Sequence, residues 1–183
     1  MRAVIIYESM YGNTKTIADA IARGFGSAGE AVVVPVGQAR PELLDGVDLV
    51  VVGGPTHVHG MSRASTRKGA AQAAAKPGSG LTLARGAQGT GLREWFAALG
   101  QMSGAAAAFD TRLDSAALLT GRASRGIARL LREHGFALAV GPKSFLVTGD
   151  NRLRAGQEDQ AFGWGRLLSS RVVAMKIGAG SSS

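Results

Sequence analysis

Cysteine is absent from the chain, so a disulfide framework, thiolate metal sites and a cysteine nucleophile are all excluded. Aromatic residues are scarce, with six Phe, two Trp and two Tyr among 183 residues. No zinc-finger or RNP pattern accompanies them, which leaves little for base stacking. Nothing reaches the roughly 18 consecutive apolar residues that a membrane span needs, and the apolar run at residues 3–7 is too short for the core of a signal peptide. A cytoplasmic protein with no membrane span is the default expectation. Phosphoryl-transfer and hydrolase signatures are missing as well, since there is no G-x-x-x-x-G-K-[ST] loop and no G-x-S-x-G elbow. A formal G-x-G-x-x-G does occur at residues 24–29. It closes a helical segment and precedes a strand, the reverse of a dinucleotide fingerprint, and reads as a helix stop.

Positive charge, by contrast, is abundant. The formal net charge is +8 with an isoelectric point near 10.8, and sixteen of the 21 basic residues are Arg. They are spread from Arg2 to Arg171 without a dense run, so no specific nucleic-acid role is indicated. Charge of this kind speaks to association with acidic or anionic surfaces. The length suits one domain with a core that needs no staples.

Short apolar runs alternate with helical patterns along the chain. Residues 3–7 (AVIIY), 31–36 (AVVVPV), 48–52 (DLVVV) and 104–109 (GAAAAF) read as strands, and 136–140 with 144–148 as a split fifth strand. Helices are expected from Thr14 to Phe25, Leu92 to Leu99, Ala123 to His134 and Gln157 to Ile177. Five such alternations predict an α/β, doubly wound, five-stranded parallel sheet of order 2-1-3-4-5 with helices on both faces, which binds its ligand outside the carboxyl ends of the strands. A single domain over 1–177 is expected, followed by a disordered tail at 178–183. Residues 62–90, rich in Gly, Ala, Ser and Gln, read as a long mobile loop that trypsin cuts first, after Arg67, Lys68, Lys76 or Arg85.

Three loops converge on the predicted ligand edge. The first, Ser9-Met10-Tyr11-Gly12-Asn13-Thr14, follows strand 1 and opens a helix, where free backbone N–H groups and the positive dipole end suit a phosphate monoester. The second, from Gly53 through Pro55, Thr56, His57, Val58 and His59 to Gly60, follows strand 3. The third, Asp110-Thr111-Arg112, follows strand 4. His57-x-His59 is also the spacing of a metal pair, but no carboxylate stands between Asp48 and Glu94 and no metal site is expected.

The first loop resembles the S-x-T-G-N-T phosphate loop of flavodoxins, with Tyr11 in place of Thr, and a similar S-M-Y-G run occurs in flavodoxin-like quinone oxidoreductases. The resemblance implies FMN as cofactor, held by Ser9 to Thr14. It implies that the second loop covers the ring, with Pro55 and Thr56 setting the turn and His57, Val58 and His59 supplying stacking atoms and hydrogen bonds, and that Asp110, Thr111 and Arg112 lie at the pyrimidine edge. The tryptophan that many flavodoxins place in the second loop is absent. The implied activity is electron transfer through bound FMN to a redox partner with an acidic surface or a small electron acceptor, with no catalytic acid or base in the protein. Alternatives on the same scaffold are an NAD(P)H:quinone or deazaflavin-linked oxidoreductase, and a flavin-free binding module. Arg63, Arg112 and two potentially cationic histidines would raise the flavin's potential above that of acidic carriers.

Overall fold

The computed structural model of the chain describes residues 1–116 and 120–180. The run at 3–7 forms β1 (Arg2–Tyr7), a central strand buried on both faces as its β-branched composition requires. β2 (Glu30–Pro35) and β3 (Leu49–His57) flank it in parallel, with Ala3 opposite Ala31 and Leu49. β4 (Gly60–Met61) folds back on the end of β3 as a hairpin. β5 (Ala105–Leu113) lies parallel to β3, and the outer position is shared by β6 (Ala137–Leu138) and β7 (Lys143–Val147), both parallel to β5. The order β2-β1-β3-β5-β6, with β7 also on β5, is the expected 2-1-3-4-5 arrangement with its last strand split.

Alternation along the strands sends successive side chains to two cores. Ala3, Ile5, Leu49, Val51 and Phe109 pack against α1 (Asn13–Phe25) and the last helix, whose range is Gln157–Gly180. Val4, Ile6, Val50, Val52 and Ala108 pack on the opposite face, against Leu92, Trp95, Phe96, Ile127 and Leu131.

An eleven-residue helix, α2 (Ala64–Ala74), stands where an irregular loop was expected between 62 and 90. Its alanines favour helix, and Thr66 Oγ1 accepts the Arg63 N–H at its start at 2.9 Å. Only Arg67 and Ala70 of this helix are buried, so no apolar stripe marks it in the sequence. Two further helices, α3 (Leu92–Ala98) and α4 (Ala123–Glu133), cover the second face. The last helix, α5, continues through Gly180, so the tail expected from 178 is helical for its first three residues, and 181–183 lie outside the described residues.

α1 and α5 meet at two glycines. A Cβ on Gly24 would lie 2.2 Å from the Phe162 carbonyl oxygen, and one on Gly165 would lie 2.1 Å from that of Ile21, so glycine at both positions lets the two backbones touch.

Candidate functional site

The loop after β1 opens α1 without a side-chain cap. Gly12 is the N-cap at φ 98°, and an added Cβ there would meet nothing within 4 Å, so the backbone is open to a ligand. The Gly12 N–H is taken by Ser9 Oγ at 3.1 Å, and the Thr16 N–H by the Gly12 carbonyl at 3.0 Å. Between them, the N–H groups of Asn13, Thr14 and Lys15 have no helical acceptor.

Side chains of the same loop are partly committed elsewhere. Thr14 Oγ1 lies 2.8 Å from Thr111 Oγ1, a buried pair joining α1 to β5. Asn13 Nδ2 donates to the backbone carbonyl of Asn151 at 2.9 Å. Met10 is buried with Ala70 and Ala87 in a small satellite core, and Tyr11 donates its hydroxyl to the Ala70 carbonyl at 2.9 Å. The phosphate-loop candidate is thus roofed by residues 70–87, and Met10 anchors that roof.

Behind the loop lies a charged network that sequence reasoning missed. Glu8, buried at the end of β1, accepts from the Ser62 hydroxyl and from the Leu92 N–H at 2.9 Å. Ser62 in turn accepts from Arg67 at 3.2 Å, and Arg67 pairs with Glu94 at 2.9 Å. Arg67 is only 4% exposed, so it is no open cleavage site, contrary to the expectation for residues 62–90. The Arg67 guanidinium and the Gly91 N–H hold the Glu94 carboxyl below its usual range. A glutamate at the end of a five-residue apolar run is the signal that could have pointed here.

The turn after β3 is not set by Pro55 and Thr56. Both belong to the strand, where Pro55 stands opposite Thr111. The two-residue turn is Val58–His59, with His57 opposite Gly60 and positive φ at both central residues, 43° and 68°, the type I′ geometry of tight hairpins. Positive φ at a β-branched residue costs on the order of 1–3 kcal/mol, and the Val58 side chain is 81% exposed at the tip. Thr56 Oγ1 accepts the Ala123 N–H at 2.9 Å and so caps α4. Burial lowers the His57 pKa, opposed in part by Glu8 and aided by Arg67. The surroundings of His57 therefore favour the neutral imidazole over the potentially cationic form expected of it.

The third loop is also turned to structural work. Asp110 is fully buried, and its Oδ2 accepts the Ser124 N–H at 2.7 Å as a second cap of α4. Burial pushes its carboxyl up, partly offset by the bond from Ser124. Arg112 donates through Nη1 to the carbonyls of Leu113 at 3.1 Å and Ser115 at 2.7 Å, and to Thr120 Oγ1 at 3.2 Å, which clamps the loop to itself. The structure thus puts Asp110 beneath α4 and leaves Thr111 and Arg112 at the rim.

A cavity of about 200 Å³ opens where these loops meet, lined from β1–α1 by Ser9, Met10, Tyr11, Asn13 and Thr14, and from β3 by Pro55, Thr56 and His57. Thr111, Arg112, Leu113 and Val147 close the β5–β7 side with Asn151, a turn residue at φ 60° that the sequence reading did not single out. Gly12 borders a neighbouring recess instead, and Val58, His59 and Gly60 stand outside the cavity wall. Among the described residues, no three His, Asp or Glu side chains are grouped to hold a metal, and no helix is long and apolar enough to cross a membrane.

A family model described as flavodoxin matches residues 5–115. Among solved structures, a flavodoxin from the domain Archaea is 20% identical, with 94% of this chain and 99% of that chain covered and a TM-score of 0.62. Oxidised flavodoxin 1 from Bacillus cereus is 19% identical over 95% of this chain and 98% of its own, also at 0.62. Rubredoxin oxygen:oxidoreductase from Desulfovibrio gigas is 17% identical over 94% of this chain but only 36% of its own, at 0.58. At these identities the likeness to solved structures is one of fold. No curated protein matches the chain.

Proposed function

The chain belongs to the flavodoxin family, and from that premise we propose that it binds FMN at the rim formed by the loops after β1, β3 and β5 and serves as an electron carrier. The observation that carries this reading is the start of α1, where Gly12 exposes a row of backbone N–H groups beside the cavity that Ser9, Asn13 and Thr14 line. Amides at a helix N-terminus favour a phosphate dianion through both hydrogen bonds and the dipole.

The residues present fit the cofactor. Ser9, Asn13, Thr14 and the α1 amides would hold the phosphate. Val58 in the turn after β3 and Leu113 at the end of β5, apolar side chains 81% and 51% exposed, would cover the ring in place of the aromatic residues that this edge lacks. His57 offers one donor and one acceptor as a neutral imidazole. Arg112 brings a positive charge to the rim, which favours negative charge in the cavity. Bound FMN supplies one- and two-electron chemistry, and no side chain has to act as acid or base. The partner proposed is an acidic redox protein or a small acceptor, with association that weakens as salt rises.

Titration of the apoprotein with FMN, followed by quenching of flavin fluorescence, tests the reading. Binding should saturate at one equivalent, and Gly12→Val, which sets a β-branched side chain at positive φ on the open loop, should weaken it by about tenfold or more. A protein that stays colourless and cannot be loaded overturns the reading and leaves a flavin-free binding module. Equal affinity in Gly12→Val would move the phosphate away from this loop.

A further inference from the structure

A second recess lies beyond the flavin cavity, on the outer side of β5 and β7. Its volume is about 560 Å³, and it is lined chiefly by Arg112, Arg122, Lys143, Ser144, Arg154 and Gln157. Four of these six side chains are cationic. Among the described residues only Arg154 of these has a carboxylate partner, Asp114. Among the described residues, Arg112 and Arg122 form no ion pair, Arg122 Nε is buried with no hydrogen-bond partner, and so is Arg112 Nε. Lys143 Nζ stands 6.0 Å above the Phe145 ring and has no other partner among the described residues.

One neutral donor completes the wall. Gln157 is 5% exposed, and its Oε1 accepts the Leu146 N–H at 2.8 Å. That bond fixes the carboxamide and leaves Nε2, a two-hydrogen donor, without a partner among the described residues. Buried guanidinium N–H groups left unpaired are costly, and gathering like charges without counterions destabilises a fold. A recess built this way is stabilised by an anion that accepts several hydrogen bonds at once, as phosphate and carboxylate oxygens do with Arg.

We propose that this recess is a binding site for a small polyanion bearing phosphate or carboxylate groups, separate from the FMN phosphate loop. Arg112 lines both cavities, so an anion held here abuts the flavin rim. The guanidiniums of Arg112 and Arg122 take the ligand's oxygens, Lys143 supplies a point charge, and Gln157 Nε2 donates from the α5 side. Arg154 keeps its partner Asp114 and closes the mouth.

The probe is inorganic pyrophosphate, with citrate as the carboxylate counterpart, titrated calorimetrically at about 150 mM salt, where exposed charges are largely screened. The titration is run on the protein both with and without FMN. One equivalent should bind, and Arg122→Gln and Lys143→Gln should each weaken it by about tenfold or more. Arg129→Gln, which removes an exposed charge of α4 outside the recess, should leave it unchanged, and FMN affinity should be the same in all three variants. Preference between pyrophosphate and citrate assigns the ligand's chemistry. Equal weakening in Arg129→Gln reduces the effect to net charge and overturns the site. Competition between pyrophosphate and FMN overturns it too, by placing the anion on the α1 loop. Binding that persists in a protein unable to take up FMN upholds the recess while removing the electron-carrier reading. Should Arg122→Gln fold poorly, Lys143→Gln alone decides, because Lys143 makes no hydrogen bond among the described residues.

Discussion

The β1 side of the rim leaves backbone N–H groups free and keeps its charges behind them, in the Glu8–Ser62–Arg67–Glu94 network. The β5 side does the reverse. There Asp110, joined by Thr56 from β3, caps α4, and Arg112 ties up the carbonyls of its own loop. In the proposed reading one side is therefore a ligand cradle supported from below, and the other is a scaffold whose polar side chains are mostly spent, with its cations facing outward. Similar-looking polar loops at one sheet edge can differ in which groups remain available, and hydrogen-bond accounting decides which.

The sharpest way to break this contrast is Arg67→Ala. Removing the guanidinium strips Ser62 and Glu94 of their partner and leaves Glu8 buried beside a void, so equilibrium denaturation should show a loss of about 3 kcal/mol or more. The roof over Met10 should loosen as well, with faster tryptic cleavage between 68 and 85. A loss below about 1 kcal/mol, the range of surface pairs, would mean that the network is ornamental.

Asp110 tests the other side. Asp110→Ala removes an α4 cap and should cost about 1–2 kcal/mol. Asp110→Asn keeps an acceptor for Ser124 and should be at least as stable as the parent at neutral pH. The sign follows from the raised folded-state pKa: the group's favourable contribution is fully present below the unfolded carboxylate pKa and is lost as pH rises through the folded one. The difference between Asp110→Asn and the parent should accordingly grow from acid toward neutral pH. If it shrinks instead, Asp110 is stabilised as a charged cap.

A smaller effect is expected at Thr14. Thr14→Ala deletes a cradle hydroxyl and strands Thr111, and FMN affinity should fall by about 1 kcal/mol, measured against Thr111→Val to separate the contact from the pairing. Smallest of all is His57, whose titration by NMR should fall below the ordinary imidazole value of about 6.5, since its surroundings disfavour the cation. A midpoint above that value would restore it as a rim charge.

The sheet was legible because a parallel strand buried on both faces has to be a continuous apolar run, and AVIIY and LVVV are such runs. The position of the candidate loops followed from the strands. What each loop residue does was less legible, because a polar side chain after a strand can face a ligand, cap a helix or clamp its own loop, and only three-dimensional neighbours choose. Asp110 and Thr56 became caps because α4 starts beside them. Asn151 was hidden because it joins the site from a turn 138 residues away from Asn13. Helix α2 was hidden because its anchor is one buried arginine, in a segment whose composition otherwise suggests solvent.

The glycine seam between Gly24 and Gly165 bears on the order of events during synthesis. In the proposed reading α1 carries the cradle at one end, and it touches α5 backbone to backbone around Ile21 and Gly24, so its final seat needs α5. A nascent chain that has made the cradle sequence at residues 9–14 must still wait for α5 to leave the ribosome before α1 is pinned. Ligand loading is then expected to be a property of the finished fold: chains released before residue 157 should take up no cofactor, and bulky substitution at Gly165 should delay loading in refolding experiments.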